Sequence, residues 1–107
     1  MFEAMKRNLE ATGIPIAEFM WRNAPPPPYA VWAQDGTTSN VYADGKLQES
    51  ANTGTVDLYS TVSKGIDFES IENALNCSDV AWYLNSVQYE ENTGLVHYEW
   101  VWGTVNG

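Results

Sequence analysis

One histidine, one cysteine and fourteen carboxylates are the groups with which this chain could do chemistry. His97 lies in an alternating stretch, LVHYEW, with no second His or Cys at ligand spacing, so no zinc site is expected. A Ser-His-Asp or Cys-His arrangement would have to recruit His97, and no G-x-S-x-G motif accompanies it. The expectation is a strand histidine facing solvent or a neighbouring side chain. Cys77, in LNCSDV, has no adjacent Lys, Arg or His to activate a thiol, and it reads as a small residue after a helix. A lone cysteine forms no intrachain disulfide, which fits a reducing compartment. Paired acids can hydrolyse sugar bonds. Here Asp57 falls on a strand, Glu90 and Glu91 fall in a turn, and nothing singles out a pair. Neither G-x-G-x-x-G nor G-x-x-x-x-G-K-[ST] occurs. We expect no catalytic residue, no metal and no cofactor.

The composition narrows the classes further. At 107 residues and 44% hydrophobic, the chain reads as one domain over residues 1–107 with a modest core. No apolar run approaches the roughly 20 residues of a membrane helix. MFEAMKRNLEATG has basic residues but no apolar h-region behind them, so a cytoplasmic product is expected. The net charge of −9 sets fourteen carboxylates against five Lys and Arg, a field that repels phosphate backbones. Five Trp, six Tyr and three Phe exceed what a small core encloses, and aromatics concentrate at interfaces.

Periodicity supplies the elements. Phe2, Met5 and Leu9 predict a helix over residues 2–11, closed by Thr12 and Gly13. Residues 14–21 alternate as a strand, with Ile14, Ile16, Glu18 and Met20 on one face and Ala17, Phe19 and Trp21 on the other. Pro25, Pro26, Pro27 and Pro28 read as a stiff polyproline II spacer rather than a ligand for a proline-recognition domain. A strand over residues 29–33 follows, then a polar stretch over 34–40 with a turn at Asp35 and Gly36. Residues 41–43 and 46–48 form a short hairpin about Asp44 and Gly45. Residues 49–54 read as turn-rich.

The strand over residues 55–62 is the clearest, with Val56, Leu58, Ser60 and Val62 on a core face and Thr55, Asp57, Tyr59 and Thr61 on a wetter one. Phe68, Ile71, Ala74 and Leu75 make the stripe of a helix over 66–76, with Asp67 as candidate N-cap. A long hairpin joins 80–89 to 95–105 through residues 90–94, with Gly94 suited to positive φ. Tyr98 and Trp100 are expected in the core and Trp102 near its rim. The short links predict an α+β fold, an antiparallel β-sheet with two α-helices packed on one face.

Six pieces in this order carry a resemblance. They are the opening helix, the strand TGIPIAEFMW, PPPPYAVW, VYADGK, VDLYS, and the helix SKGIDFESIENAL. Together they resemble the tail terminator, or tail completion, family of long-tailed bacteriophages over nearly the whole chain. The many Trp residues, the longer proline run and the scarcity of Lys depart from that pattern.

The resemblance implies a non-catalytic virion protein, assembled in the host cytoplasm. It would form a ring, a homohexamer in this family, at the head-proximal end of the tail. Its partners would be further copies of itself, the major tail tube protein, the head-tail connector or stopper protein and the tape measure protein. Such a ring stops tube growth and joins tail to head, while DNA passes through its lumen without specific binding. A carboxylate-lined lumen would suit that passage. A ring needs two different patches per subunit. The candidates are the region of residues 35–50, with Asp35, Asp44 and Lys46, and exposed aromatics such as Trp21 and Trp32. A neck or head-completion protein remains the near alternative. A small carbohydrate-binding module, stacking sugars on exposed rings, remains a second.

Overall fold

A computed structural model describes residues 3–38, 42–43, 46–47, 51–61 and 63–104. The fold is α+β, with a five-stranded sheet and two helices. The elements are α1 (Glu3–Ala11), β1 (Ile16–Glu18), β2 (Tyr29–Thr38), β3 (Tyr42–Ala43), β4 (Lys46–Leu47), β5 (Ala51–Ser60), α2 (Ile66–Asn76), β6 (Val80–Glu90) and β7 (Leu95–Thr104). The main sheet runs β1-β2-β5-β7-β6, and β3 pairs with β4 as a separate hairpin. Among the described residues no helix is long and apolar enough to cross a membrane.

Both helices close the same face of the sheet. Met5 and Leu9 from α1 and Ile71, Ala74 and Leu75 from α2 join one cluster with Ala30, Trp32, Val56, Leu58, Tyr98, Trp100 and Trp102. Each large side chain fully buried there contributes about 1.5–3 kcal/mol. The indoles also find acceptors, as buried polar groups must. Trp100 Nε1 donates to Glu72 Oε2 at 3.0 Å, and Trp102 Nε1 to the Thr55 carbonyl at 3.1 Å. Phe68 packs on Tyr98 and Trp100, so the predicted stripe of α2 is its buried face. Ser78 ties the helices together, accepting from Asn8 Nδ2 at 3.0 Å and donating to the Ala74 carbonyl at 2.7 Å.

The expected alternation of β5 and β7 is present, but several expectations change. Strands β2, β5, β7 and β6 are antiparallel in that order, whereas β1 joins β2 in parallel. The ten residues 19–28 between them are close to the dozen or so that a parallel return needs, and the Pro27–Pro28 bond is cis. The strand expected over 14–21 shrinks to three residues, because Phe19 takes φ 70 and leaves the sheet. The turn expected at Asp35 and Gly36 is a bulge inside β2: Gln34 pairs with Gly54 and Gly36 with Thr53, leaving Asp35 as the extra residue.

Residues 51–54, expected in a turn-rich stretch, belong to β5. Gly54 is required there, since a Cβ would lie 1.9 Å from the Ala33 carbonyl oxygen and 2.6 Å from Trp102 Cζ2. That close approach is what seats Trp102 fully in the core at 1% exposure rather than at its rim. Gly65, not Asp67, is the N-cap of α2, and Asp67 lies in the first turn. Phe2, Val62 and Val105 lie outside the described residues. Gly94 takes φ 72 in the turn between β6 and β7, as its sequence position suggests.

Candidate functional site

Among the described residues no helix covers the opposite face of the sheet. Tyr29, Val31, Asp57, Tyr59, His97 and Glu99 project there by strand alternation and are all half-buried. Cross-strand register puts Tyr29 beside Tyr59 and Tyr59 beside His97. Their rings stack in a row across three strands, with centroids 5.0 Å apart for the two tyrosines and 4.3 Å for Tyr59 and His97. Trp21 extends the row by an edge contact at 6.4 Å to Tyr29, and its Nε1 donates to the Ala30 carbonyl at 2.9 Å. Cross-strand aromatic pairs of this kind stabilise a sheet from the face opposite its helices.

Charge is concentrated beside this row. His97 Nε2 lies 2.7 Å from Asp57 Oδ1, and Nδ1 lies 3.9 Å from Glu90 Oε2. The bond to Asp57 raises the His97 pKa above its usual 6.5, burial works against the rise, and the charges of Asp57, Glu90 and Glu99 add to it. Tyr59 is pushed up to about 12, first by burial and then by Asp57 and Glu90. Glu99 accepts from Asn85 Nδ2 at 2.8 Å, the residue that bulges out of β6. Among the described residues no three His, Cys, Asp or Glu side chains converge as a metal site.

An open groove of about 400 Å³ lies where the chain leaving β1 passes over this face. Phe19, Met20, Trp21 and Ala24 form one side, and Tyr29, Val31, Asp57 and Tyr59 the other. Met20 N donates to the Glu18 carbonyl at 2.8 Å across Phe19, a γ-turn of the rare positive-φ kind. The turn is pinned to β2 by Phe19 N donating to the Trp32 carbonyl at 2.9 Å.

The residues expected at an interface part company here. Trp21 lines the groove. Trp32 is corrected: at 4% exposure it belongs to the core, because it alternates with Val31 onto the helix-covered face. Asp35 is exposed at its bulge, away from the residues lining the groove. Asp44 lies outside the described residues, and Lys46 pairs with Ala43 in the β3–β4 hairpin, its side chain not being described. Cys77 is the exposed C-cap of α2.

The sequence reading missed Phe19, Met20 and the ring row. The row had a signal, since Tyr29, Tyr59 and His97 fall on the wetter face of their strands, but their register is a tertiary fact. No known protein family matches the chain, and no curated protein is significantly similar to it in sequence.

Proposed function

We propose that this chain is a structural subunit of the tail terminator type, a non-catalytic ring former that caps the head-proximal end of a phage tail tube and joins it to the head connector. The observation that carries the reading is the distribution of exposed apolar groups. Phe19 and Met20 stand beside the β1 edge of the sheet, 63% and 71% exposed, and Val87 and Tyr89 form a second patch on β6, the opposite edge, on the side of the helices, while the exposed Tyr83 of β6 faces the other way. Two unlike patches on opposite edges are what head-to-tail association into a closed ring requires. Strand β6 adds to this support: it is an eleven-residue edge with no Pro, Lys or Arg to discourage pairing with another chain. The ordered sequence resemblance supplies the terminator role and the sixfold count. The net charge of −9 suits a lumen through which DNA passes without adhering.

The carbohydrate-binding alternative is weaker, because Tyr29, Tyr59 and His97 stack on one another and offer few free ring faces to a sugar. The test is negative-stain microscopy of tail tubes assembled from the tube protein encoded near this chain and incubated with it. Rings at one end with elongation stopped are the expected result. Bare, still-growing tubes would overturn the terminator reading, and binding to the isolated connector under the same conditions would then point to a neck protein.

A further inference from the structure

We infer that His97 is a proton-operated latch. Its doubly protonated ring ties Glu90, and with it the turn between β6 and β7, to Asp57 on β5; loss of one ring proton frees the Glu90 side chain and loosens that turn. The two ring nitrogens show the closed state. Nε2 lies 2.7 Å from Asp57 Oδ1 and Nδ1 lies 3.9 Å from Glu90 Oε2, so each faces a carboxylate oxygen. A neutral imidazole has one N–H and one lone pair, and either tautomer turns its lone pair toward one of the two carboxylates. The imidazolium alone attracts both.

The surroundings decide which carboxylate lets go. Asp57 and Tyr59 face the ring from β5, Glu90 from β6 and Glu99 from β7 itself, while Tyr29 of β2 lies beyond Tyr59 in the row. Among the described residues no Lys or Arg forms an ion pair with these carboxylates. Deprotonation therefore leaves Asp57, Glu90 and Glu99 repelling one another around an uncharged ring. The Nε2–H tautomer keeps the short bond to Asp57. Glu99 is held by Asn85 Nδ2 at 2.8 Å. Toward His97, Glu90 has only a charge contact too long for a hydrogen bond, and its side chain is 38% exposed, so it is the group that moves to water.

Glu90 carries the turn with it. Its Oε1 accepts from Thr93 Oγ1 at 3.2 Å, and that hydroxyl accepts from Leu95 N at 3.2 Å. The Glu90 carbonyl accepts from Gly94 N at 2.8 Å. Among the described residues the β5–β7 ladder ends at Ser60 and Val96, so residues 90–95 lie past the last β5 partner and are linked to β5 through His97. A local change of charge thus acts on a segment free to loosen without disturbing the core.

The test is NMR of the intact protein, taken from about pH 5 upward through the His97 transition. Imidazole nitrogen shifts should give the Nε2–H tautomer above that transition. Amide order parameters at Thr93 and Gly94 should fall from about 0.85 toward about 0.6 with the same midpoint as the imidazole, while those of Tyr98 and Trp100 stay fixed as the fold control. Glu90→Gln keeps an acceptor for Thr93 and removes the charge. It should abolish the pH dependence of the turn and lower the His97 midpoint by less than Asp57→Asn does, since the bond to Asp57 is the larger cause of its raised pKa. The Nδ1–H tautomer above the transition, turn order parameters that ignore the His97 titration, or an unchanged pH dependence in Glu90→Gln overturns the proposal.

Discussion

The two faces of one sheet are built from the same strands by opposite means. The helix-covered face excludes water: Val56, Leu58, Tyr98, Trp100 and Trp102 are at most 1% exposed. The other face keeps its side chains half in water and holds them by stacking and charge, through Tyr29, Tyr59, His97 and Asp57. Residues one apart along β5 and β7 thus carry different duties. Stability rests on the covered face, where apolar area is removed from water. The open face makes contacts that solvent weakens, and so can exchange them for a partner at small cost. The bond angles of the chain decide none of this; the placement of two helices on one side does.

The contrast can be broken most forcefully at Trp100. Replacing Trp100 by Ala should remove about 3–5 kcal/mol of unfolding free energy in a urea titration, enough to threaten folding. A loss under about 1 kcal/mol would mean that the covered face is not the source of stability. Next comes Gly54→Ala, where the added methyl meets backbone and the Trp102 ring. It should cost about 1–3 kcal/mol in the same measurement.

On the open face, Asp57→Asn should cost about 1 kcal/mol at most and should return the His97 pKa toward 6.5, read by NMR titration of the imidazole. The sign of the pH dependence follows. The folded pKa of His97 lies above its unfolded value, so the stabilisation is fully present below about pH 6.5 and is lost as pH rises through the folded value. The native chain should therefore lose stability relative to Asp57→Asn across that window, and a difference independent of pH would sink the ion-pair account. The smallest effect is expected at Phe19→Gly. Glycine adopts positive φ without strain, and a side chain 63% exposed has little burial to lose. The thermal midpoint should hold or rise slightly; a marked fall would show that Phe19 serves the fold rather than the groove.

Much of the covered face was legible in the sequence. The apolar spacing of α2 gave its limits, and the alternation of β7 assigned Tyr98, Trp100 and Trp102 to one side, because both patterns record which side chains must leave water. The same alternation marked Asp57, Tyr59 and His97 as facing the other way. Polar strand ends were illegible for the converse reason. Residues 51–54 pair with Gln34, Gly36, Thr37 and Thr38 on either side of the unpaired Asp35 through backbone groups, which every residue type carries, so their side chains advertise a turn where a ladder forms.

By itself, then, the sequence determined the α+β class, the two helices, the long hairpin and the absence of recognisable catalytic motifs. Tertiary structure alone decided that β1 runs parallel to β2, that Trp32 is core while Trp21 lines a groove, and that Tyr29, Tyr59 and His97 form one row. The physical reason is range. Local periodicity fixes which way a side chain points within its own strand. Which side chains it then meets depends on register between strands dozens of residues apart, and on the helices having taken the other face.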